Sequence, residues 1–395
     1  LSFSTDELMS RPYQVINTLF NLHLYFQQNS QYDKFDETNT IEWAKQNQLL
    51  TSPDIWLLSK LQKLIQILTE KNMTCKFHEG AKAIDDFIIN NLSQIYIPIT
   101  RGELWDEDEE KKSRRLSIYA VLSEVLKTLD ILIHPLCPFT SEHLYQTVFS
   151  GKQSILLDKW PSYQKSLVNE EIEESFDIMK DVVSISSAAR MKGKLKRRWP
   201  LNEAQICVKK GQKANLESLS ELLQSQLNVE KFSITETEKE SGLEQILELK
   251  QLGLPVKGII ELERKRIGPK AKQHMGKLVS TFNETDPEEI ISSLQKESKY
   301  DFDIDGEIIS LENEDFIIDF DASENFAVAK RDNYIVFIST SRNKEMMARG
   351  LVKDIARRLQ TLRKERGYTP TDVLDVASIL ELDEESLEMV KEKAK

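Results

Sequence analysis

The chain of 395 residues has a formal net charge of −12, with 53 Lys and Arg against 65 Asp and Glu. That balance excludes bulk charge as a means of holding nucleic acid, so any polyanion contact has to be local and shaped. No apolar run reaches the roughly eighteen residues of a membrane span, and Cys75, Cys137 and Cys207 are far apart with no Cys/His cluster, which argues against a disulfide framework or a structural zinc site.

The length predicts two or three domains. The opening LSFSTDELM, without an initiator Met or a charged-then-apolar leader, reads as a fragment or processed chain in a reducing, cytoplasmic setting. Residues 1–158 are expected to be a helical bundle. Ser4-Thr5-Asp6-Glu7 reads as a capping box ahead of the spaced apolar positions Leu8, Val15, Leu19, Leu22 and Phe26. Ser52-Pro53-Asp54 reads as a second helix start, followed by an apolar stripe from Ile55 to Leu68. Further helices are expected over 77–96, 113–133 and, after His134-Pro135, from Pro138.

The pattern then changes. A brief strand is expected at 154–157, and Trp160-Pro161 marks a boundary. An amphipathic helix over 170–196 begins acidic and ends basic, in accord with the helix dipole. Strands at 204–209 and 229–235 around a helix at 216–223 make a first small α/β unit over 159–262. A linker rich in Gly and Pro follows at 253–269. The last unit, 263–395, has a helix starting at Asp286 and an antiparallel sheet over 300–329. That stretch holds ten acids and no Lys or Arg, with a hairpin signal at Asp305-Gly306. A basic helix runs from Lys344 to Gly367, and a strand is expected at 373–380. Segments 176–208 and 346–380 share one plan: a helix ending in a basic cluster, a Pro, then a strand. The fold class is α+β, a bundle followed by two small α/β units.

No catalytic constellation is visible. There is no dinucleotide-binding, phosphate-loop, zincin or nucleophile-elbow motif, and Gly268-Pro269-Lys270 and Gly276-Lys277 lack the spacing of a phosphate loop. No metal-ligating set is expected. His134 and His143 flank apolar helix positions and read as packing or helix-end residues. What recurs is basic and aromatic residues near helix ends: Arg101 with Trp105, then Arg190, Lys194, Lys196, Arg197, Arg198 and Trp199, then Arg357, Arg363 and Arg366 ahead of Tyr368. Cations neutralise phosphates, and aromatic or guanidinium planes stack on unpaired bases, which suits single-stranded RNA loops.

DIWLLSKLQKLI (54–65), LSQIYIPITRGELW (92–105), HPLCPFTSEHLY (134–145), ILLDKWP (155–161) and ARMKGKLKRRWPL (189–201) together resemble the anticodon-binding region of the large class I aminoacyl-tRNA synthetases. GPKAKQHMGK (268–277), DGEIISLENEDFII (305–318) and ARGLVKDIARRLQTLRKERGYTPTD (348–372) are similar to isoleucyl-tRNA synthetases of the archaeal and eukaryotic type. The resemblance covers nearly the whole chain. It departs at Ile95, where the family has Trp, and at Pro98 and Glu103, where it usually has Arg, leaving Arg101 and Trp105 as that helix's RNA candidates.

The resemblance implies the C-terminal half of an isoleucine–tRNA ligase, which recognises the tRNA-Ile anticodon stem-loop. The HIGH and KMSKS signatures are absent, so ATP, magnesium, adenylate formation and editing are expected in upstream domains of the same protein, and this stretch is expected to hold no cofactor. The partners implied are tRNA-Ile, those upstream domains and other synthetases, with no membrane. The corresponding region of a valyl- or leucyl-tRNA synthetase is an alternative, as is a non-catalytic module docking proteins through the acidic sheet.

Overall fold

The structure is a computed structural model that describes residues 5–36, 38–106, 108–149 and 153–368, with side chains from residue 10 onward. The chain divides into two compact units, Leu1–Phe176 and Asp177–Lys395.

The first unit is helical. Its helices are α1 (Thr5–Tyr32), α2 (Ile41–Gln46), α3 (Ser52–Met73), α4 (Phe77–Asp86), α5 (Ile97–Leu104), α6 (Lys112–Ile133) and α7 (Pro138–Val148). The expected cap at Ser52 moves one residue back. Asp54 accepts the backbone N–H of Thr51 at 2.8 Å and its hydroxyl at 3.0 Å, so an acid three residues into the helix ties down the chain entering it. Behind it Leu58, Leu61, Leu64, Ile65 and Leu68 are buried as the stripe requires, whereas Ile55 at its start is half-buried and Leu57, outside the stripe, is buried as well. α6 is buried on most of its circumference, from Ile118 to Ile133, because α1, α2, α3, α5 and α7 all pack on it. Between α4 and α5 the helix widens over Phe87–Tyr96, where Ile97 N–H reaches back to Leu92 O. Pro98 follows at the start of α5; a proline has no N–H and crowds the preceding turn, and a widened turn accommodates both.

The strand expected at 154–157 is a single 3-10 turn, Ile155–Leu157. Ser154 caps it by accepting the N–H of Leu156 at 3.2 Å, and Glu142 accepts from Ile155 N–H at 3.1 Å. Local side-chain acceptors satisfy this backbone, so no neighbouring strand is needed.

α8 (Glu170–Lys192) carries the chain across the division. The second unit contains β1 (Leu201–Lys209), α9 (Lys213–Glu217), α10 (Ser220–Leu227), β2 (Val229–Thr237), α11 (Gly242–Gln251), β3 (Val256–Leu262), α12 (Arg264–Ala271), α13 (Met275–Glu284), α14 (Pro287–Glu297), β4 (Lys299–Ile304), β5 (Glu307–Glu312), β6 (Phe316–Ala322), β7 (Phe326–Arg331), β8 (Tyr334–Ser339) and α15 (Lys344–Glu365). A four-stranded sheet has the order β2-β1-β8-β7. β1 runs parallel to β2 and antiparallel to β8, so this sheet takes strands from both sides of the expected boundary at residue 262.

The expected linker at 253–269 is mostly ordered structure: β3 pairs antiparallel with β6, Leu262 opposite Phe316, and α12 follows. Gly258 lies in β3 because a Cβ there would come within 2.1 Å of Ile291 Cδ1 on α14; close helix packing, not flexibility, selects it. The single sheet expected over 300–329 is divided. β4 and β5 form the hairpin, turned by Asp305 and Gly306 in left-handed conformation, while β6 joins β3 and β7 joins β8. One apolar core gathers α11 to α14 and strands β3 to β6 and includes Phe337 of β8. The capping side chains at 4–7, the strand expected at 373–380, and with it the second half of the internal repeat, lie outside the described residues.

Candidate nucleic-acid interface

The basic stretch begins where α8 stops. The helix expected to reach residue 196 ends at Lys192. Lys194 has φ of 53°, its N–H donates to Met191 O at 3.1 Å, and Leu195 N–H donates to Arg190 O at 2.8 Å. These two reversed bonds satisfy the last helix carbonyls and turn the chain out of the axis. Glycine usually takes the left-handed position; here Gly193 precedes it, where a Cβ would lie 3.1 Å from Ala327 Cβ.

Arg190 corrects an expectation. The sequence puts it among the RNA-binding cations, but it is 3% exposed. Its guanidinium donates to Lys196 O at 3.2 Å and Trp199 O at 2.9 Å from one nitrogen, and to Leu227 O at 2.7 Å and Asn228 O at 3.2 Å from the other. A rigid fork of donors can gather carbonyls from two segments in this way. Burial, and then the positive charge of Arg197, push its guanidinium down to about 10, which leaves it charged at neutral pH. Arg190 is a strut that sets the backbone of 194–199 against the end of α10.

Lys194, Lys196, Arg197 and Arg198 are exposed. The backbone beneath Arg197 is fixed, since its carbonyl accepts from Asn228 Nδ2 at 3.2 Å. Trp199 is half-buried. Its indole lies on α15 at Gly350, so closely that a Cβ there would be 2.5 Å from Trp199 Cδ2. Its Nε1 donates to Asp354 Oδ2 at 3.1 Å, and Lys196 Nζ and the Arg342 guanidinium sit 5.4 and 5.1 Å from its ring centre, within cation–π range. Asp354 also takes Lys196 Nζ at 2.6 Å and Arg198 Nη1 at 3.5 Å. Hydrogen bonds from Lys196 and then Trp199 hold its carboxyl below the usual carboxylate range.

On α15, Arg357 lies about one turn beyond Asp354 and is exposed, as is Arg366, whereas Arg363 is half-buried. About 14 Å of helix separates Arg357 from Arg366. In the first unit, Trp105 is 63% exposed and the Arg101 guanidinium lies 5.4 Å from its ring centre, a ready stacking surface. Glu103, which replaces a family Arg, instead accepts Arg114 Nε at 2.7 Å. The same Arg114 reaches Asp54 at 2.6 Å and Thr51 Oγ1 at 2.9 Å.

Sequence reasoning overlooked Asp354, Arg342 and Gly350. Asp354 is an acid between Lys353 and Arg357-Arg358, a spacing that points to pairing along its own helix rather than across to residue 196. Among the described residues, no group of three His, Cys, Asp or Glu side chains could hold a metal, and no helix is long and apolar enough to cross a membrane. Gly268-Pro269-Lys270 lies in α12 and Gly276-Lys277 in the first turn of α13. Lys270 is bound to Asp315 and Lys277 to Asp305, so neither forms a phosphate cradle. The acids of 300–329 are partly neutralised in place, by these two lysines and by Lys299 on Asp301 and Lys330 on Asp319.

Residues 54–206 match the family described as the anticodon-binding domain of tRNA ligase. Most helices of the first unit, α8 and most of β1 fall inside that match, and so does the whole basic turn. Beyond it, the chain is 25% identical to isoleucine–tRNA ligase of Sulfolobus acidocaldarius over 89% of its own length and 32% of the relative. It is 28% identical to that of Methanocella arvoryzae over 99% and 34%, and 27% identical to that of Porphyromonas gingivalis over 95% and 31%. The chain spans about a third of the length of the curated relatives it matches. Residues 54–206 thus match an anticodon-binding domain of tRNA ligases, and nearly the whole chain is similar to a stretch of isoleucine–tRNA ligases.

Proposed function

We propose that this chain recognises the anticodon stem-loop of tRNA-Ile on behalf of an enzyme that joins isoleucine to that tRNA with ATP. The observation that carries the reading is the anticodon-binding match over 54–206, which ends just past a turn displaying four cations within five residues. Lys194, Lys196, Arg197 and Arg198 take phosphates of the loop. Arg190 sets the turn they stand on, and Trp199 anchors it to α15. Arg357, Arg363 and Arg366 extend the basic surface along that helix. In the first unit, Trp105 with Arg101 stacks on an unpaired base. Activation of isoleucine, with its ATP and magnesium, belongs to another part of the enzyme. The purified chain accordingly gives no isoleucine-dependent pyrophosphate exchange, and a measured exchange rate above background refutes that division of labour.

The binding test compares the chain with a variant changed to Ala at Lys194, Lys196, Arg197 and Arg198, titrated with anticodon stem-loops of isoleucine, valine and leucine tRNAs. For a single-stranded loop, every phosphate that is no longer neutralised lowers the log–log salt slope by about 0.7. The fourfold change is expected to remove roughly 2 to 3 units of slope and to weaken the isoleucine loop most. An unchanged slope and affinity sink the assignment.

A further inference from the structure

We propose that Asp354 is a built-in substitute for an RNA phosphate, and that it sets how selectively the basic turn binds RNA. The inference rests on the anticodon-loop reading and deepens it. The carboxylate accepts an ammonium, a guanidinium and an indole N–H, from Lys196, Arg198 and Trp199. Those are donors that a phosphate oxygen would also engage. Asp354 itself cannot withdraw easily. It sits on α15 between the buried Val352 and Ala356, in a helix seated against Trp199 at Gly350, and its side chain is 17% exposed. The cations can move: Lys196 is 67% and Arg198 45% exposed.

An arriving RNA therefore exchanges two existing ion pairs for two new ones, and from these cations a random polyanion gains little. An RNA held in register by Lys194, Arg197 and stacked bases makes the exchange at the right places and keeps the rest of its binding energy. Selectivity is a difference between affinities, and an internal competitor removes the part that every polyanion shares. Asp354 is ionised at neutral pH, as an ordinary aspartate is, and the hydrogen bonds from Lys196 and Trp199 lower its proton affinity further. The competitor is therefore present whenever the protein meets RNA.

The test is Asp354→Asn in the full chain, which keeps the side-chain shape and an acceptor for Trp199 Nε1 while removing the charge. Wild type and variant are titrated with the tRNA-Ile anticodon stem-loop and with an oligouridylate of equal length, across a range of KCl concentrations. The oligouridylate is expected to bind the variant roughly three- to tenfold more tightly, the scale of two half-exposed ion pairs. Its salt slope should steepen by about 0.7 per freed cation, and the preference for the stem-loop should shrink. Asp354→Glu should restore wild-type behaviour. Lys196→Gln should cost little oligouridylate affinity in wild type and several-fold in Asp354→Asn, a coupling that a purely structural role for Asp354 would not produce. Unchanged or weaker oligouridylate binding by Asp354→Asn, at an unchanged slope, overturns the inference while leaving the anticodon reading intact. Loss of stem-loop preference in wild type itself overturns the anticodon reading.

Discussion

Two Arg-Arg pairs in this chain look alike in sequence and have opposite fates. Arg114-Arg115 ends a KKSRR run in the helical unit, and Arg197-Arg198 sits in the KLKRRW run of the second. Arg115 is 2% exposed and forks onto Asp33, with its remaining nitrogen on the carbonyls of Asp106 and Asp108. Arg114 is drawn onto Asp54, Glu103 and Thr51. Arg197 and Arg198 stay exposed, and for Arg198 the acid is Asp354, at 3.5 Å. The difference lies in the acids. Asp33 and Asp54 are buried carboxylates, and a buried carboxylate requires a cation. The turn at 194–199 meets mainly backbone carbonyls, and Arg190 alone satisfies four of them. A basic run marks a ligand surface only after the buried acids of its own unit have taken their partners.

The sharpest way to break that contrast is to exchange roles. Arg115→Met should lower stability by about 3–5 kcal/mol, because it leaves the Asp33 carboxylate buried without its cation, while Arg197→Ala should stay within about 0.5 kcal/mol. Urea unfolding of both variants measures the difference, and equal losses would show the two pairs to be the same kind of surface charge. Acid titration sharpens it. Burial alone would raise the Asp33 carboxyl, but hydrogen bonds from Arg115 and Tyr119 outweigh it and hold it below the usual range. With the folded value below the unfolded one of about 3.9, this contribution is fully present above that pH and is lost as pH falls through the folded value. In Arg115→Met the slope should reverse, since an unpaired buried carboxylate is relieved by protonation.

The helical unit is legible in the sequence because its period is local. The stripe Ile55 to Leu68 and the starts at Ser52 and Pro138 are read from residues within a turn or two of each other. The second unit hides more. β1 pairs with β8 from about 130 residues away, and no local pattern announces such a partner. β3 does alternate, with Gly258 and Ile260 buried between exposed Lys257, Ile259 and Glu261, but its flanking Gly and Pro read as a linker. Composition alone reveals the basic turn, yet not its internal division. Arg190 lies in the same run as Arg197 and has the same side chain. Only the carbonyls of Leu227 and Asn228, brought in by α10, decide that it faces inward.

Two helical glycines give the smallest and most diagnostic contrast. A Cβ on Gly350 would lie 2.5 Å from Trp199 Cδ2, whereas a Cβ on Gly102, in α5, meets nothing within 4 Å. Gly350→Ala gains helix propensity but must displace the indole, and overpacking of that kind costs about 1–3 kcal/mol. It should also loosen the Trp199–Asp354 bond, so Lys196 and Arg198 lose their common anchor and the salt slope of RNA binding shifts with stability. Gly102→Ala, with room for the methyl and helical backbone already in place, should stabilise by about 0.5–1 kcal/mol and leave the slope unchanged. Thermal melts paired with RNA titrations of the two variants read both effects. If the two substitutions move stability in the same direction, Trp199 is not seated against α15 as described, and the basic turn has no fixed base from which to present its cations.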